Sequence, residues 1–340
     1  MMRKGLKYLL LAALMIIASC QRRPFSDASS AVNIKLKVDT CIVNEKDVPL
    51  PEIMCVQLFD INTGKVAYTD YISATGGYIY PEPGKYDILV YNINTESTIV
   101  KNESHFHTIE AYTNQVSAFI KSQLTRFLAK RAEIKAQMAA LKRDQSKSPD
   151  EADDESKAPF DEIIVNEPDH LFAGRLYGVD IPAFGIDEEN EIVIEMEAES
   201  VVETWLIEAV NVDGLQWVSN VSALVTGMVE SNFIGPCQKS ENSVTVYFEM
   251  GRSGNSLVGY YRTFGKHQQF SNDLTIGFNI TDTQGGEHHF IFDITEEYLD
   301  NPEKHIQIID EITIPEPDVA GGGFAPTVDD WEKIDTDINL

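Results

Sequence analysis

The stretch Pro83-Gly-Lys-Tyr-Asp-Ile-Leu-Val-Tyr-Asn92 contains the clearest predicted strand in the first half of the chain. The Pro83-Gly84 pair is typical of a tight turn, because proline presets one turn dihedral and glycine tolerates the others. The apolar and aromatic residues that follow over 85–92 favour an extended strand. The sequence therefore predicts a turn followed by a β-strand at this point.

Similar short segments lie on both sides of this strand. Apolar and polar residues alternate with the period of two that a half-buried strand requires. The pattern predicts strands over 32–38, 54–58, 65–72 and 78–80, with a turn at 60–64. In the second half it predicts strands over 191–197, 204–212, 243–250, 274–281, 287–294 and 310–315, with a hairpin turn at 213–214. Many short strands separated by turns indicate a β-sandwich, and 340 residues suggest two domains.

Residues 112–145 differ from both halves and predict one long amphipathic helix. Ile120, Phe127, Ile134 and Leu141 are seven residues apart, and Thr113-Asn114 can cap the helix start. Residues 121–147 hold eight Lys or Arg and two acidic residues. Two interpretations stay open: a helix packed on a sheet with a solvated basic face, or a helix that docks on a partner or an anionic membrane. The acidic, proline-flanked segment that follows predicts a linker over 146–165.

The chain is strongly acidic, with a formal net charge of −27. Nucleic-acid binding needs a surplus of Lys and Arg, so this charge argues against nucleic acid as a partner. Hydrophobic residues make up 43% of the chain, an ordinary globular composition that argues against general disorder.

The N-terminus predicts a secretory signal at 1–19. Arg3, Lys4 and Lys7 precede an apolar run that is shorter than the roughly 20 residues of a membrane span. The run ends in Ile17-Ala-Ser-Cys20, which resembles a bacterial lipobox with cleavage between Ser19 and Cys20 and acylation of Cys20. Attachment to the outer membrane through this lipid and a tether at 20–30 would follow, although an uncleaved anchor or a plain signal is the alternative. Cys41 and Cys55 can form a local disulfide, or Cys41, Cys55 and Cys237 are all buried thiols.

No pattern in the sequence indicates catalysis, a cofactor or a metal site. The phosphate-binding, dinucleotide-binding, zinc-protease and serine-hydrolase motifs are all missing from it. The spacing of His105 and His107 puts both on one face of a predicted strand, and adjacent His288 and His289 fall on opposite faces. Asp180, Asp187, Glu188 and Glu189 could contribute calcium ligands, but they form no recognisable loop. We expect a protein that is not an enzyme.

Four segments together resemble the fimbrillin-like lipoproteins of Bacteroidales. They are the lipobox at Cys20, the 83–92 strand, Glu167-Pro-Asp-His-Leu-Phe-Ala-Gly174 and Ala223-Leu-Val-Thr-Gly-Met228. The C-terminal region, Ile312-Thr-Ile-Pro-Glu-Pro317 with Gly321-Gly-Gly-Phe-Ala-Pro-Thr-Val-Asp-Asp-Trp331, resembles an uncharacterised branch of this family that is similar to the minor anchor subunits of type V pili. The resemblance implies two tandem transthyretin-like β-sandwiches, at 31–111 and 166–320, followed by a glycine hinge and acidic tail at 321–340.

The resemblance also implies a role in protein–protein interaction, as a fimbrial anchor, a minor subunit or an adhesin-like component. Stalk subunits of such pili are cut after an arginine that ends their first strand. Arg22 and Arg23 precede the first predicted strand here and the next arginine is Arg126, which disfavours a polymerising stalk subunit. A partner strand could pair with an exposed sheet edge or with the tail, through Phe324, Val328 and Trp331. The alternatives are a surface glycan-binding lipoprotein, with aromatic platforms, and an envelope hydrolase that uses paired carboxylates.

Overall fold

The computed structural model describes residues 30–39, 48, 50–125, 127–129, 133, 163–183, 191–267, 274–299 and 301–317. Over these residues the chain is mostly β, as predicted. The strands are β1 (Val32–Val38), β2 (Ile53–Asp60), β3 (Val66–Ser73), β4 (Gly77–Ile79), β5 (Gly84–Asn92), β6 (Thr98–Lys101), β7 (Glu110–Thr113), β8 (Ile164–Asn166), β9 (Phe172–Ile181), β10 (Ile192–Ser200), β11 (Glu203–Ala209), β12 (Val218–Val229), β13 (Ser231–Phe233), β14 (Gln238–Lys239), β15 (Ser243–Ser253), β16 (Ser256–Thr263), β17 (Thr275–Asp282), β18 (Glu287–Asp293) and β19 (His305–Ile308). The helical elements are α1 (Ala118–Gln123), α2 (Thr295–Tyr298) and a 3₁₀ turn at Leu215–Trp217.

The first sheet has seven strands in the order β3-β2-β5-β9-β10-β1-β4. It curls so that β4, β1 and β10, which we call the β1 layer, face β3, β2, β5 and β9, which we call the β5 layer. Alternate residues of both layers meet in one apolar core that includes Ile34, Val56, Val90 and Met196. The alternation in 32–38 and 191–197 therefore places apolar residues inside and charged residues in solvent, as the period-two pattern predicts.

The second sheet has the order β18-β17-β12-β15-β16-β11-β19, with β8 paired to β15. The β15–β16 hairpin pairs only near its tip, from Gly251↔Val258 to Ser253↔Ser256, and this corner lets the sheet fold over its own core. Trp205, Phe248, Tyr261 and Phe278 are buried in that core. A third, smaller sheet of order β14-β13-β7-β6 lies between the two.

Part of the outer face of the β5 layer, on β2 and β5, is also buried. Cys55, Phe59, Leu89 and Tyr91 point away from the first core and join Phe106, Ile109, Val229 and Phe264 in a separate apolar cluster. This cluster, which we call the junction, connects the first sheet to strands and loops from both halves of the chain. It explains why β2 and β5 are apolar on both faces rather than alternating along their whole length.

The predicted helix over 112–145 is wrong at its start. Residues up to Thr113 form β7, and α1 begins only at Ala118, capped by the Ser117 hydroxyl that accepts a hydrogen bond from the Ile120 N–H at 3.3 Å. Leu124 and Phe127 pack on Leu224 of the second sheet, which agrees with the predicted apolar face. Gly277 makes this contact possible, because a Cβ atom there would overlap the Phe127 ring. Most of 130–145, and all of 146–162, lie outside the described residues.

Two further predictions are wrong. The predicted strand at 310–315 is absent, because only Thr313 forms an isolated bridge and the strand lies earlier, at β19. Asp213-Gly214 does not close a hairpin, since β11 pairs with β16 and β19, and Gly214 starts the 3₁₀ turn at a φ of 80°. In addition, β9 and β10 lie beyond 146–165 in sequence yet complete the first sheet. The predicted domain bounds stay a prediction.

Candidate interaction surface

The β1 layer presents an incompletely paired strand. β1 pairs with β10 in parallel along all seven residues, from Val32↔Ile192 to Val38↔Ala198. On its other side β1 pairs with β4 only from Val32↔Ile79 to Ile34↔Gly77. Within the described residues, no strand pairs with 35–38 on the β4 side. This half of β1 is an edge that can accept another strand.

The hairpin between β3 and β4 fixes where that edge begins. Ser73 and Gly76 form the last bridge of the hairpin, and Gly76 takes a φ of 110° that favours glycine. A Cβ atom on Gly76 would lie against the carbonyl oxygen of Ile34 and 3.1 Å from Cα of Lys35. The hairpin tip therefore packs directly against β1 at residues 34–35. The open edge of β1 continues from there to Val38.

Charged side chains line the solvent face of this edge. Lys35 is opposite Glu195 and Lys37 is opposite Glu197, and the Lys37 Nζ lies 2.7 Å from Glu197 Oε1. The hydrogen bond to Glu197 raises the pKa of the Lys37 ammonium group, although both side chains are largely exposed. These residues, with Leu36 and Met196, line an open depression of about 300 Å³ that lies over the paired strands β1 and β10. A strand that pairs with 35–38 on the other side of β1 would lie beside Leu36 on one face and beside the lysines on the other.

The segment 167–174 leads into β9, the central strand of the first sheet, and contributes to the junction. Glu167 accepts hydrogen bonds from the Arg262 guanidinium, with Nη2 at 2.8 Å from Oε1. Asp169 Oδ2 accepts the backbone N–H groups of three consecutive residues, Glu96 at 2.6 Å, Ser97, and Thr98 at 3.1 Å. Carboxylates that accept several N–H groups form strong, charge-assisted hydrogen bonds.

The rest of that segment is apolar and alternates between two cores. Leu171 and Ala173 pack in the junction, whereas Phe172 packs in the core of the first sheet. Only glycine fits at position 174, because a Cβ atom there would lie 2.6 Å from the carbonyl oxygen of Glu197. One of the segments that carries the family resemblance is thus a structural clamp between the sheets.

The junction also contains a thiol. Cys55 is a buried free cysteine, and burial raises the pKa of its thiol to about 11. Cys237 is free and exposed, so the expectation that this thiol is buried is wrong. Cys41 lies outside the described residues.

The structure separates the predicted histidine and carboxylate groups. His105 and His107 lie in a turn rather than on one strand face, with ring centroids 5.7 Å apart. On β18, His288 Nε2 lies 3.0 Å from Asp282 Oδ2, whereas His289 packs on the Phe127 ring. Asp180 Oδ2 lies 4.0 Å from Lys85 Nζ. Asp187, Glu188 and Glu189 lie outside the described residues. No cluster of potential metal ligands occurs in the part of the chain that the structure describes.

The residues predicted for anchoring and partner binding lie outside the described ranges. These are Ser19, Cys20, Phe324, Val328 and Trp331. Among the helices of the described residues, none has the length and hydrophobicity to cross a membrane. The open edge of β1 was missed in the sequence because nothing local specifies that 32–38 pairs in parallel with a strand about 160 residues away. The complementary charges of Lys35 and Lys37 and of Glu195 and Glu197 are consistent with this pairing but do not specify it.

The architecture is that of a class of β-proteins in which curled sheets enclose separate cores and share a buried junction. A crystal structure of "a putative adhesin from Bacteroides ovatus ATCC 8483" has this fold, with a TM-score of 0.58, 21% identity, and coverage of 88% of this chain and 97% of that one. The fimbrial anchor protein Mfa2 from Porphyromonas gingivalis aligns less closely, with a TM-score of 0.45 and 12% identity over 84% of this chain and 89% of that one.

Residues 19–249 match the family model described as "Domain of unknown function (DUF5119)", and the chain belongs to this family. A Bacteroides ovatus protein named "Putative fimbrium anchoring subunit Fim4B" is 23% identical over 359 aligned positions, covering 95% of this chain and 94% of the relative. The resemblance to Bacteroidales fimbrial proteins that the four sequence segments indicated is confirmed.

Proposed function

We propose that the protein is a cell-envelope component that anchors a fimbria, or acts as an adhesin-like subunit, by binding another subunit. The observation that carries the proposal is the open edge of β1 at 35–38, which no described strand covers on the β4 side. The full-length similarity to a relative named as a fimbrium anchoring subunit supports the same function.

The proposed mechanism is strand addition to this edge. An incoming strand gains main-chain hydrogen bonds from β1, and its alternate side chains point either toward the core or toward solvent. The inward positions would be apolar, because Leu36 and Val38 are only partly covered by the first core. The outward positions would be polar or acidic, because Lys35 and Lys37 lie on that face.

The remaining parts of the proposal concern the ends of the chain. Signal cleavage before Cys20 and lipid on its thiol would attach the protein to the outer membrane, with 20–30 as a tether. The tail at 321–340 would contact a partner through Phe324, Val328 and Trp331. We also propose two tandem transthyretin-like sandwich domains, which the two curled sheets and their separate cores support.

Crosslinking in the native envelope followed by affinity purification tests the proposed function. Fimbrial subunits are expected to co-purify with the full chain. A chain that lacks 321–340 is expected to co-purify with smaller amounts of them. Capture of no envelope protein by the full chain would contradict the proposal, and equal capture by the shortened chain would remove the tail from it. Metabolic labelling with a fatty-acid probe tests the anchor, because Cys20→Ala should abolish incorporation.

A further inference from the structure

The solvent face of the β1 layer carries exposed aromatic side chains beside the open edge. Tyr78 is 52% exposed and Tyr80 is 57% exposed, and the buried Ile79 between them places both rings on the outer face. The strand register sets Tyr78 next to Asn33, and Asn33 next to Val193, which is 47% exposed. Exposed apolar surface on a rigid sheet marks a binding site more often than an isolated exposed residue does.

Hydrogen-bonding groups lie within this face. The Asn33 side-chain amide donates to Glu191 Oε1 at 2.6 Å, and Glu191 itself is exposed. This pair keeps the amide oxygen, and the remaining lone pairs of the carboxylate, available to hydroxyl donors. Each tyrosine adds a flat apolar ring with a hydroxyl at its end. The face therefore combines rings for stacking with amide and carboxylate groups for hydrogen bonding.

The geometry points to a binding site for neutral polysaccharide on this face, formed by Tyr78, Tyr80, Asn33 and Glu191. The C–H face of a pyranose ring stacks on a tyrosine ring, and its hydroxyls bond to the amide and the carboxylate. A protein surface would instead have to desolvate Glu191, Glu195 and Lys35, at a cost that ion pairing does not fully recover. The carboxylates in the face, together with the net charge of −27, disfavour acidic sugars.

The site is separate from strand addition. The strand edge uses the backbone of 35–38, whereas the sugar face uses the side chains of Tyr78 and Tyr80, which flank the paired half of β1. Loss of one function need not remove the other, so the two proposals fail independently.

Affinity electrophoresis of the full chain in detergent, through gels containing starch, mannan or xyloglucan, tests the site. At least one of these neutral polysaccharides should retard the protein, and polygalacturonate should not. Tyr78→Ala and Tyr80→Ala should each weaken retardation at least tenfold, whereas Tyr78→Phe, which keeps the ring, should retain most of it.

Tyr71→Ala is the matched control. Tyr71 is 59% exposed, but its register with Cys55 places it on the outer face of the β5 layer. This variant should bind as the unmodified protein does, and thermal melting should show that all variants fold. The inference is overturned if no neutral polysaccharide retards the protein, if polygalacturonate retards it equally, or if Tyr78→Ala and Tyr71→Ala behave alike.

Discussion

The two layers of the first sheet use their outer faces differently. Part of the outer face of the β5 layer, on β2 and β5, is covered by the junction, where Cys55, Phe59, Leu89 and Tyr91 are almost completely buried. The outer face of the β1 layer is in solvent, with a three-residue contact to β4 and an open edge beyond it. One layer thus connects the two halves of the molecule, and the other presents its outer face and part of an edge to solvent.

Thiol labelling should show the largest contrast. Thiolates are the reactive form, and a pKa of about 11 leaves roughly one Cys55 thiol in a thousand ionised at pH 8. Because the raised pKa belongs to the folded state, Cys55 labelling should increase as pH rises toward 11. Exposed Cys237 should react quickly under native conditions. Peptide mapping after timed alkylation measures both, and rapid modification of Cys55 at pH 8 would show that the junction is open.

Phe106→Ala should lower the free energy of unfolding by about 3–5 kcal/mol, because it leaves a cavity in the junction. Phe106 is 1% exposed and packs edge-on against Phe59 at 5.4 Å. Urea denaturation measures the change. Phe119→Ala, at a side chain that is 70% exposed, is the matched control and should change stability by less than about 0.5 kcal/mol. Similar losses in the two variants would contradict a buried junction.

Asp169→Ala should cost about 2 kcal/mol, because three backbone N–H groups lose a charged acceptor. Hydrogen exchange at residues 96–98 should increase locally in this variant. Stability within experimental error of the original protein would show that water replaces the carboxylate there.

In urea denaturation, Lys37→Ala should have the smallest effect of these variants on the free energy of unfolding, because its ion pair with Glu197 is exposed. A stability loss as large as that of Asp169→Ala would contradict this expectation, because it would mean that the ion pair holds the β1 layer in place.

The sequence predicts the β1 layer better than it predicts the junction. Alternation over 32–38 and 191–197 reflects one buried face, and the structure places both segments as predicted. β12 lacks that alternation because residues 221–229 are all buried, and β9 lacks it at its start because residues 172–174 are buried on both faces. The predicted strand at 310–315 is wrong because Ile312 and Ile314 are buried although they do not belong to a strand of a sheet.

Long-range pairing is the part of the site that could not be predicted. The edge at 35–38 exists because β10, not a sequence neighbour, pairs with β1, and because the β4 hairpin is short. The parallel register depends on cores that involve residues from both halves of the chain. The segment 167–174 was recognised by resemblance, but its role as a clamp depends on Arg262 and residues 96–98, which no local pattern connects to it.

Site-specific photocrosslinking in the native bacterium tests the central claim most directly. A photoreactive residue is placed at Lys37 on the β1 edge or, as the matched control, at Lys85 on the β5 layer, where both side chains are well exposed. Strand addition to β1 predicts an adduct between position 37 and a fimbrial subunit, and little or none from position 85. Adducts from position 85 without any from position 37 would contradict it.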